Sequence, residues 1–179
     1  MLGDFSKTYK SCKSRWVSIV DQASKGVVKD ALNHIIWSQH ILSLDPSEWG
    51  ELSDLAGLDD KFLAIHTKES QNFQSEFEKI IQSLESTLKD LYSAHSRIPK
   101  DIKLKTTTPE KLNDYLLPLM QSYEKELEFR KKLLQNFSSY IDAPYDVIAT
   151  VSSAWSGRPY TSERFIDHYE KFLDFETGQ

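Results

Sequence analysis

A chain of 179 residues is long enough for one folded domain that buries about 70% of the surface its unfolded form exposes. Hydrophobic residues make up 39% and charged residues 27% of the chain, which is the composition of a globular protein rather than of a disordered or fibrous one. The net charge of −5 argues against a general nucleic-acid binder, because phosphate binding needs a basic surface.

Three features of the sequence indicate the cellular compartment. No apolar run approaches the roughly 20 residues of a membrane span, and the first ten residues lack the apolar stretch of a secretory signal. Cys12 is the single cysteine, which excludes an internal disulfide. We therefore expect a nuclear or cytoplasmic protein that does not bind membranes.

The first predicted helical unit runs from Phe5 to Leu44. Its apolar residues recur in steps of three and four, as one face of a helix requires, and they are Phe5, Tyr9, Cys12, Trp16, Ile19, Ala23, Val28, Leu32 and Ile35. Gly26 costs about 1 kcal/mol inside a helix, so we expect a kink or a break there.

An acidic segment, residues 45–60, follows this unit, and we interpret it as an ordered loop with a helical turn. Its Trp49 either pins the loop onto the helices, which we favour, or docks a partner. A second long helix is predicted from about Asp60 to His95. Its apolar spacing covers nearly three heptads, which suits a helix pair rather than an extended coiled coil.

Residues 96–108 form the predicted flexible connection, and we interpret its three lysines as a solvated loop rather than a contact for nucleic acid. Thr108-Pro109-Glu110 then starts a helix, because Thr caps free amides, Pro suits the first helical position and Glu favours the positive end of the helix dipole. Thr108 and the three residues after it also fit the substrate pattern of cyclin-dependent kinases. Thr108 is therefore a candidate phosphorylation site as well as a cap.

The third helix spans about thirty residues, and Pro118 inside it predicts a bend near Tyr115. We expect two i,i+4 ion pairs on its outer face, Glu126 with Arg130 and Glu128 with Lys132. The apolar stripe that faces inward is Leu112, Leu116, Leu119, Tyr123, Leu127, Leu134 and Phe137.

Two short helices complete the chain. The fourth is predicted from about Pro144 to Trp155, and Thr161 or Ser162 caps the fifth. The segment that joins them is residues 155–160 (WSGRPY). It contains a large aromatic residue, a turn glycine, an arginine and a rigid Pro-Tyr pair. This composition suits either a tight helix corner or a protein-binding anchor.

The sequence contains no recognisable catalytic, cofactor-binding or metal-binding motif. The five histidines lack the i,i+4 spacing and acidic support of a zinc site, and we interpret them as ordinary surface or half-buried residues. Cys12 occupies a core position of the first stripe, which argues against a thiol nucleophile. We therefore expect a protein that is not an enzyme and uses no cofactor.

Three blocks in the carboxy-terminal third resemble the cyclin-dependent kinase 2-interacting protein family. They are residues 123–132 (YEKELEFRKK), then Trp155 with Pro159-Tyr160-Thr161-Ser162, and finally Leu173 with Glu176-Thr177-Gly178. The resemblance covers roughly residues 112–179. It implies a small helical adaptor that pairs with a second small helical subunit on a two-ring AAA+ ATPase, which acts in large ribosomal subunit maturation and replication-linked protein remodelling. It also implies a link to a cyclin-dependent kinase.

We predict one all-α domain over residues 1–179, an elongated bundle of three long helices with a short two-helix C-terminal appendage. Residues 1–95 form a helix pair and residues 109–179 carry the family-like blocks. The predicted function is a non-catalytic protein-binding adaptor, and the alternative is a structural coiled-coil subunit of a chromosome, kinetochore or cytoskeletal assembly. The predicted partner-binding residues are Tyr123, Arg130, Trp155, Arg158, Pro159 and Tyr160.

We expect Trp155 to pack inward while Arg158 and Tyr160 contact the partner. We also expect apolar surface left over by the three long helices to lie on Phe73, Phe77, Phe129 or nearby leucines.

Overall fold

The computed structural model describes residues 2–45, 48, 50–51, 57–135 and 137–178. This part of the chain is helical and contains no strand, which confirms the all-α class. Trp49 and seven other residues of the acidic segment 45–60 lie outside the described residues. The helices are α1 (Leu2–Lys25), α2 (Val27–Ser43), α3 (Leu58–Ser96), α4 (Pro109–Gln135), a 3-10 helix (Phe137–Asp142), α5 (Tyr145–Ser156) and α6 (Glu163–Thr177).

Gly26 separates α1 from α2, so the expected kink or break is present. Its backbone has φ −111° and ψ −107°, outside the helical region. The helical hydrogen bonds nevertheless continue through it, since its N–H donates to the Gln22 carbonyl at 3.0 Å and its own carbonyl accepts from Asp30 at 2.9 Å. The helix axis therefore changes direction at Gly26 while these backbone groups keep their hydrogen bonds.

α3 runs antiparallel to α4. Tyr92 contacts Glu124, Glu85 contacts Lys131, and the ring of Phe77 lies beyond the end of α4 against Phe137. α3 has 39 residues, about 58 Å, whereas α4 has 27, about 40 Å. α4 therefore leaves the first turns of α3 uncovered.

Two hydrophobic clusters form the core. The first joins α1, α3, α4 and α6 and includes Phe5, Tyr9, Trp16, Leu84, Leu91, Leu116, Tyr123 and Leu173. The second joins α2, α3, the end of α4, the 3-10 helix and α5 and includes Ala31, Ile35, Phe77, Phe137, Ile148 and Trp155. Both C-terminal helices thus contribute buried side chains to the core, α5 to the second cluster and α6 to the first.

The expectation that Phe77 carries leftover exposed surface is wrong. Phe77 is buried, and its ring packs edge-on against Phe137 with 4.9 Å between ring centres. Phe73 and Phe129 are half-buried. The 3-10 helix, which follows α4, supplies Phe137 and so covers a surface that three long helices alone would leave open.

None of the described helices combines the length and the apolar character that crossing a lipid bilayer requires.

Candidate functional site: a corner between α5 and α6

A buried ion pair on α4 forms the base of the site. Glu126 and Arg130 are both fully buried, and 2.7 Å separates the Arg130 Nη2 atom from the Glu126 Oε1 atom. The expectation that this pair lies on the outer face of the helix is wrong. Glu128 pairs with Lys131 rather than with the predicted Lys132, and Lys131 also pairs with Glu85 of α3, at 3.0 Å each.

Arg130 binds the backbone of the turn that follows α5. One guanidinium nitrogen donates to the Trp155 carbonyl, and another donates to the Gly157 carbonyl at 2.8 Å. The guanidinium also lies 4.9 Å from the centre of the Trp155 ring, within the range of a cation–π contact. Arg130 thereby supplies donors to carbonyls that the end of α5 leaves without helical partners.

Glu126 holds the other side of the same turn. Its Oε2 atom accepts the Tyr160 N–H at 3.0 Å, while Oε1 is occupied by Arg130. We call residues 155–162 the corner, and the buried pair holds its backbone at Trp155, Gly157 and Tyr160. Burial lowers the pKa of the Arg130 guanidinium, and the Glu126 carboxylate opposes that shift.

The predicted partner-binding residues come together at this corner, but half of them lie inside the protein. Arg130 and Trp155 are at most 1% exposed and Tyr123 is 3% exposed. Tyr123 packs edge-on against Trp16 with 5.1 Å between ring centres, and burial raises its pKa, so it stays neutral. Buried side chains of this kind can position a surface but cannot touch a partner.

Of the other three predicted residues, two are exposed and one is half-buried. Tyr160 is 44% exposed and Pro159 is also exposed. Arg158 is half-buried, with its guanidinium 3.8 Å from the carboxylate of Glu163. The Tyr160 ring meets the half-buried Phe129 of α4 edge-on, with 6.1 Å between ring centres. The corner therefore presents Arg158, Pro159 and Tyr160 next to one another, with Tyr160 packed against Phe129 of α4.

The third family-like block closes the other end of α6. Glu176 accepts the backbone N–H groups of Lys105 and Thr106 at 2.6 and 3.0 Å and the Thr106 hydroxyl. Burial opposes its ionisation, but these hydrogen bonds and the nearby Lys105 outweigh burial and lower its pKa. Gly178 ends α6 with φ +76°, a conformation that favours glycine. This block thus links the segment that precedes α4, residues 96–108, to α6 through hydrogen bonds.

Thr108 is exposed and precedes the first residue of α4. Its hydroxyl accepts the Lys111 N–H at 3.4 Å, which is a long capping contact. The geometry agrees with the predicted cap and leaves the hydroxyl accessible.

Cys12 is 4% exposed, and burial raises the pKa of its thiol against the opposing effect of Arg15. A raised pKa reduces the thiolate fraction that nucleophilic chemistry needs.

Two histidines, one on α2 and one on α3, form a contact that the sequence does not predict. The His34 Nε2 and His66 Nδ1 atoms are 3.0 Å apart, the rings stack, and the Ser38 hydroxyl lies 2.9 Å from the same His66 nitrogen. Within the described ranges, no three His, Cys, Asp or Glu side chains are grouped as a metal ion needs. Their contact depends on how α2 pairs with α3, which periodicity alone does not determine.

Comparison with protein-family models, with curated proteins and with solved structures finds no significant match for this chain.

Proposed function

We propose that this protein is a non-catalytic adaptor that binds other proteins through the corner. The observation that carries the proposal is the buried Glu126–Arg130 pair, whose hydrogen bonds hold the backbone of an exposed turn. Such a pair contributes little net stability compared with an apolar replacement. Its value lies in keeping Pro159 and Tyr160 in one conformation, which lowers the entropy lost when a partner binds.

The resemblance to the cyclin-dependent kinase 2-interacting protein family supports the same proposal. Its first two blocks, residues 123–132 and 155–162, supply the two sides of the corner, and the third ties down α6. On this basis the proposed partners are a second small helical subunit and an AAA+ ATPase that acts in large ribosomal subunit maturation and replication-linked remodelling. The proposed compartment is the nucleus or the cytoplasm. The proposed architecture is an elongated bundle of three long helices whose short C-terminal pair presents the binding surface.

Thr108 is proposed as a site where a cyclin-dependent kinase changes partner binding rather than stability. A phosphate at the start of α4 gains about 0.3–1 kcal/mol from the helix dipole, which roughly offsets loss of a 3.4 Å capping contact. Phosphopeptide mapping through the cell cycle tests this, and a Thr108 that is never modified removes the idea.

The corner is tested by affinity purification with mass spectrometry. Tyr160→Ala keeps the backbone N–H that Glu126 accepts, so the variant should keep its melting temperature while weakening the complex by about 2 kcal/mol or more. Arg158→Ala should behave likewise. The matched control is Tyr145→Ala, since Tyr145 is 68% exposed at the start of α5 and outside the corner. Trp155→Ala should instead lose about 3–5 kcal/mol of stability.

The proposal is overturned if no protein co-purifies with the unaltered chain, or if Tyr160→Ala and Tyr145→Ala retain the same partners. Recovery of kinetochore or cytoskeletal proteins in place of an AAA+ ATPase would favour the structural coiled-coil alternative. A Tyr160→Ala variant that melts as early as Trp155→Ala would make the corner a purely structural turn.

A further inference from the structure

A polar groove runs between α1 and the second half of α3. The two helices are antiparallel, because the Phe5 ring contacts the His95 ring while Arg15 pairs with Asp90. The part of the groove near the end of α3 is a cavity of about 450 Å³, which is within the roughly 300–1,000 Å³ of small-ligand sites. We call this cavity the basic groove, and its lining residues are Lys7, Thr8, Ser11, Cys12, Arg15, Asp90, Ser93, Ala94 and Arg97.

Positive charge predominates in this lining. Three of the nine residues are cationic and one is acidic, a net charge of +2 on a chain whose net charge is −5. The acidic residue, Asp90, is already paired with Arg15. Lys7 and Arg97 are exposed and form no ion pair with a described carboxylate, and Asp4, which interacts with Lys7 electrostatically, does not line the groove. Two cations from different helices therefore lack an acidic partner in the basic groove.

Three hydroxyl groups also line the basic groove, and none has a hydrogen-bond partner among the described residues. They belong to Thr8 and Ser11 of α1 and to Ser93 of α3. Other hydroxyls of α3 behave differently, since those of Ser83 and Thr87 donate to the backbone carbonyl one turn earlier. The three groove hydroxyls are therefore available as donors to a bound ligand.

The end of α3 beside the basic groove is compatible with a bound anion. The Ala94 carbonyl accepts the Arg97 N–H, and the His95 carbonyl accepts the Ile98 N–H, so these terminal carbonyls already have donors. The antiparallel α1 places its positive first turns beside the negative end of α3, and the two helix dipoles offset each other. The charge of the groove is therefore set by its side chains.

We propose that the basic groove binds a phosphorylated serine or threonine of a partner protein. A phosphate on such a side chain carries about −1.5 to −2 charge at pH 7 and three acceptor oxygens, which match two unpaired cations and three available hydroxyls. The planar guanidinium of Arg97 can donate to two phosphate oxygens at once, and Lys7 supplies a compact charge. A carboxylate has two oxygens and less charge, so it satisfies fewer of these donors.

The groove continues beyond the phosphate position, as a peptide ligand requires. A second cavity, of about 520 Å³, shares Arg15 with the first and extends between α1 and α3 to Ile19 and Lys79. Residues that flank a phosphorylated side chain can lie in this continuation, whereas a free phosphate ion would leave it empty. The continuation therefore favours a peptide segment over a free anion.

Two other sources of phosphate fit this face less well. Neither cavity has an aromatic residue in its lining, so the base of a nucleic acid finds no ring on which to stack. None of the exposed large hydrophobic residues in the described chain lies on α1 or on the second half of α3, so this face offers no anchor for a lipid surface. The groove is separate from the corner, and this inference goes beyond the adaptor function proposed above.

An oriented peptide library tests the proposal directly. It consists of nine-residue peptides with phosphoserine or phosphothreonine at the centre and random residues around it, and its control is the same library without phosphate. The isolated full chain should retain the phosphorylated pool and not the control pool. One retained peptide, remade without its phosphate or with glutamate in place of the phosphorylated residue, should bind at least about tenfold more weakly.

Two substitutions test whether the phosphate lies in the basic groove. Arg97→Gln should weaken binding of the retained phosphopeptide at least about tenfold, and Lys7→Gln should weaken it as well. The matched control is Arg164→Gln, which removes the same charge from an exposed arginine of α6. Because Lys7 and Arg97 are exposed, a thermal melt should show that both variants fold like the unaltered chain. Equal weakening by Arg97→Gln and Arg164→Gln, or equal binding of the peptide with and without phosphate, would overturn the proposal.

Competition distinguishes a peptide site from a site for small anions. O-phosphoserine and inorganic phosphate should displace the phosphopeptide only at concentrations at least about tenfold above that of the peptide itself, since they make no flanking contacts. Displacement at the same concentration contradicts a peptide occupant, and so does tighter binding of single-stranded RNA or of phosphatidylserine vesicles. The assay contains no other protein, so its failure leaves the corner proposal standing. Failure to recover partners that depend on Tyr160 likewise leaves the groove proposal standing.

Discussion

Arg130 is a charged residue in the core, and the cost of its burial makes it a sensitive probe of the corner. Arg130→Met should lower the free energy of unfolding by about 3–5 kcal/mol, because it leaves the Glu126 carboxylate buried and unpaired. The double variant Glu126→Leu/Arg130→Met should recover much of this loss, since it removes both charges. Recovery stays incomplete because the Trp155 and Gly157 carbonyls still lose their donors.

Urea unfolding of the single and double variants measures these differences. Lys79→Met is the control, because Lys79 and Glu76 form an exposed ion pair of the kind that contributes less than about 1 kcal/mol. If Arg130→Met destabilises no more than Lys79→Met, the buried pair does not hold the corner.

Only some of the residues that form the corner could be predicted from the sequence. The composition of residues 155–160 suits either a tight helix corner or a protein-binding anchor, and the structure places it at the turn between α5 and α6. Because charged side chains rarely leave water, the sequence favours the outer face for Glu126 and Arg130, whereas the structure buries both. Their spacing was the missed signal: Glu126 follows the buried Tyr123 by three residues, and Arg130 follows Glu126 by four, so both continue the apolar stripe.

Among the elements, helix existence and most boundaries could be predicted. The start of α4 at Pro109 follows from capping chemistry, and the break at Gly26 follows from helix propensity. The 3-10 helix was missed, because residues 136–142 contain no glycine or proline to end the apolar stripe of α4. The register in which α2 pairs with α3 could not be predicted from the sequence either, because two helix faces can meet in more than one register.

The paired ends of α2 and α3 should respond to pH through His66. Burial lowers its pKa from the ordinary 6.5, and the neighbouring His34 adds to the shift. The unfolded chain therefore takes up the proton more readily than the folded one. Stability that these paired helix ends have at neutral pH is accordingly lost as the pH falls below about 6.5.

Hydrogen exchange of the paired ends of α2 and α3 at about pH 7.5 and about pH 5.5, corrected for the intrinsic rate, measures this response. Exchange in the second half of α2 and the first turns of α3 should rise at the lower pH, and His66→Asn should abolish the difference. His168→Asn, an exposed histidine on α6, is the control. An unchanged response in His66→Asn would assign the pH effect to other groups.

For the molecule as a whole, the corner offers an aromatic, proline and arginine surface on a turn that the buried Glu126–Arg130 pair holds in place. We propose that a partner protein covers this surface, so we expect the chain to work as part of a complex.

The most direct test is the mass of the particle that contains this chain when it is recovered under native conditions from cells that make it. Light scattering should give a mass above the 20.7 kDa of the single chain, with a second helical protein present in fixed proportion. Tyr160→Ala should return the mass toward that of the isolated chain, while Tyr145→Ala should not. A particle of 20.7 kDa from the unaltered chain, with no second protein bound, would contradict the account.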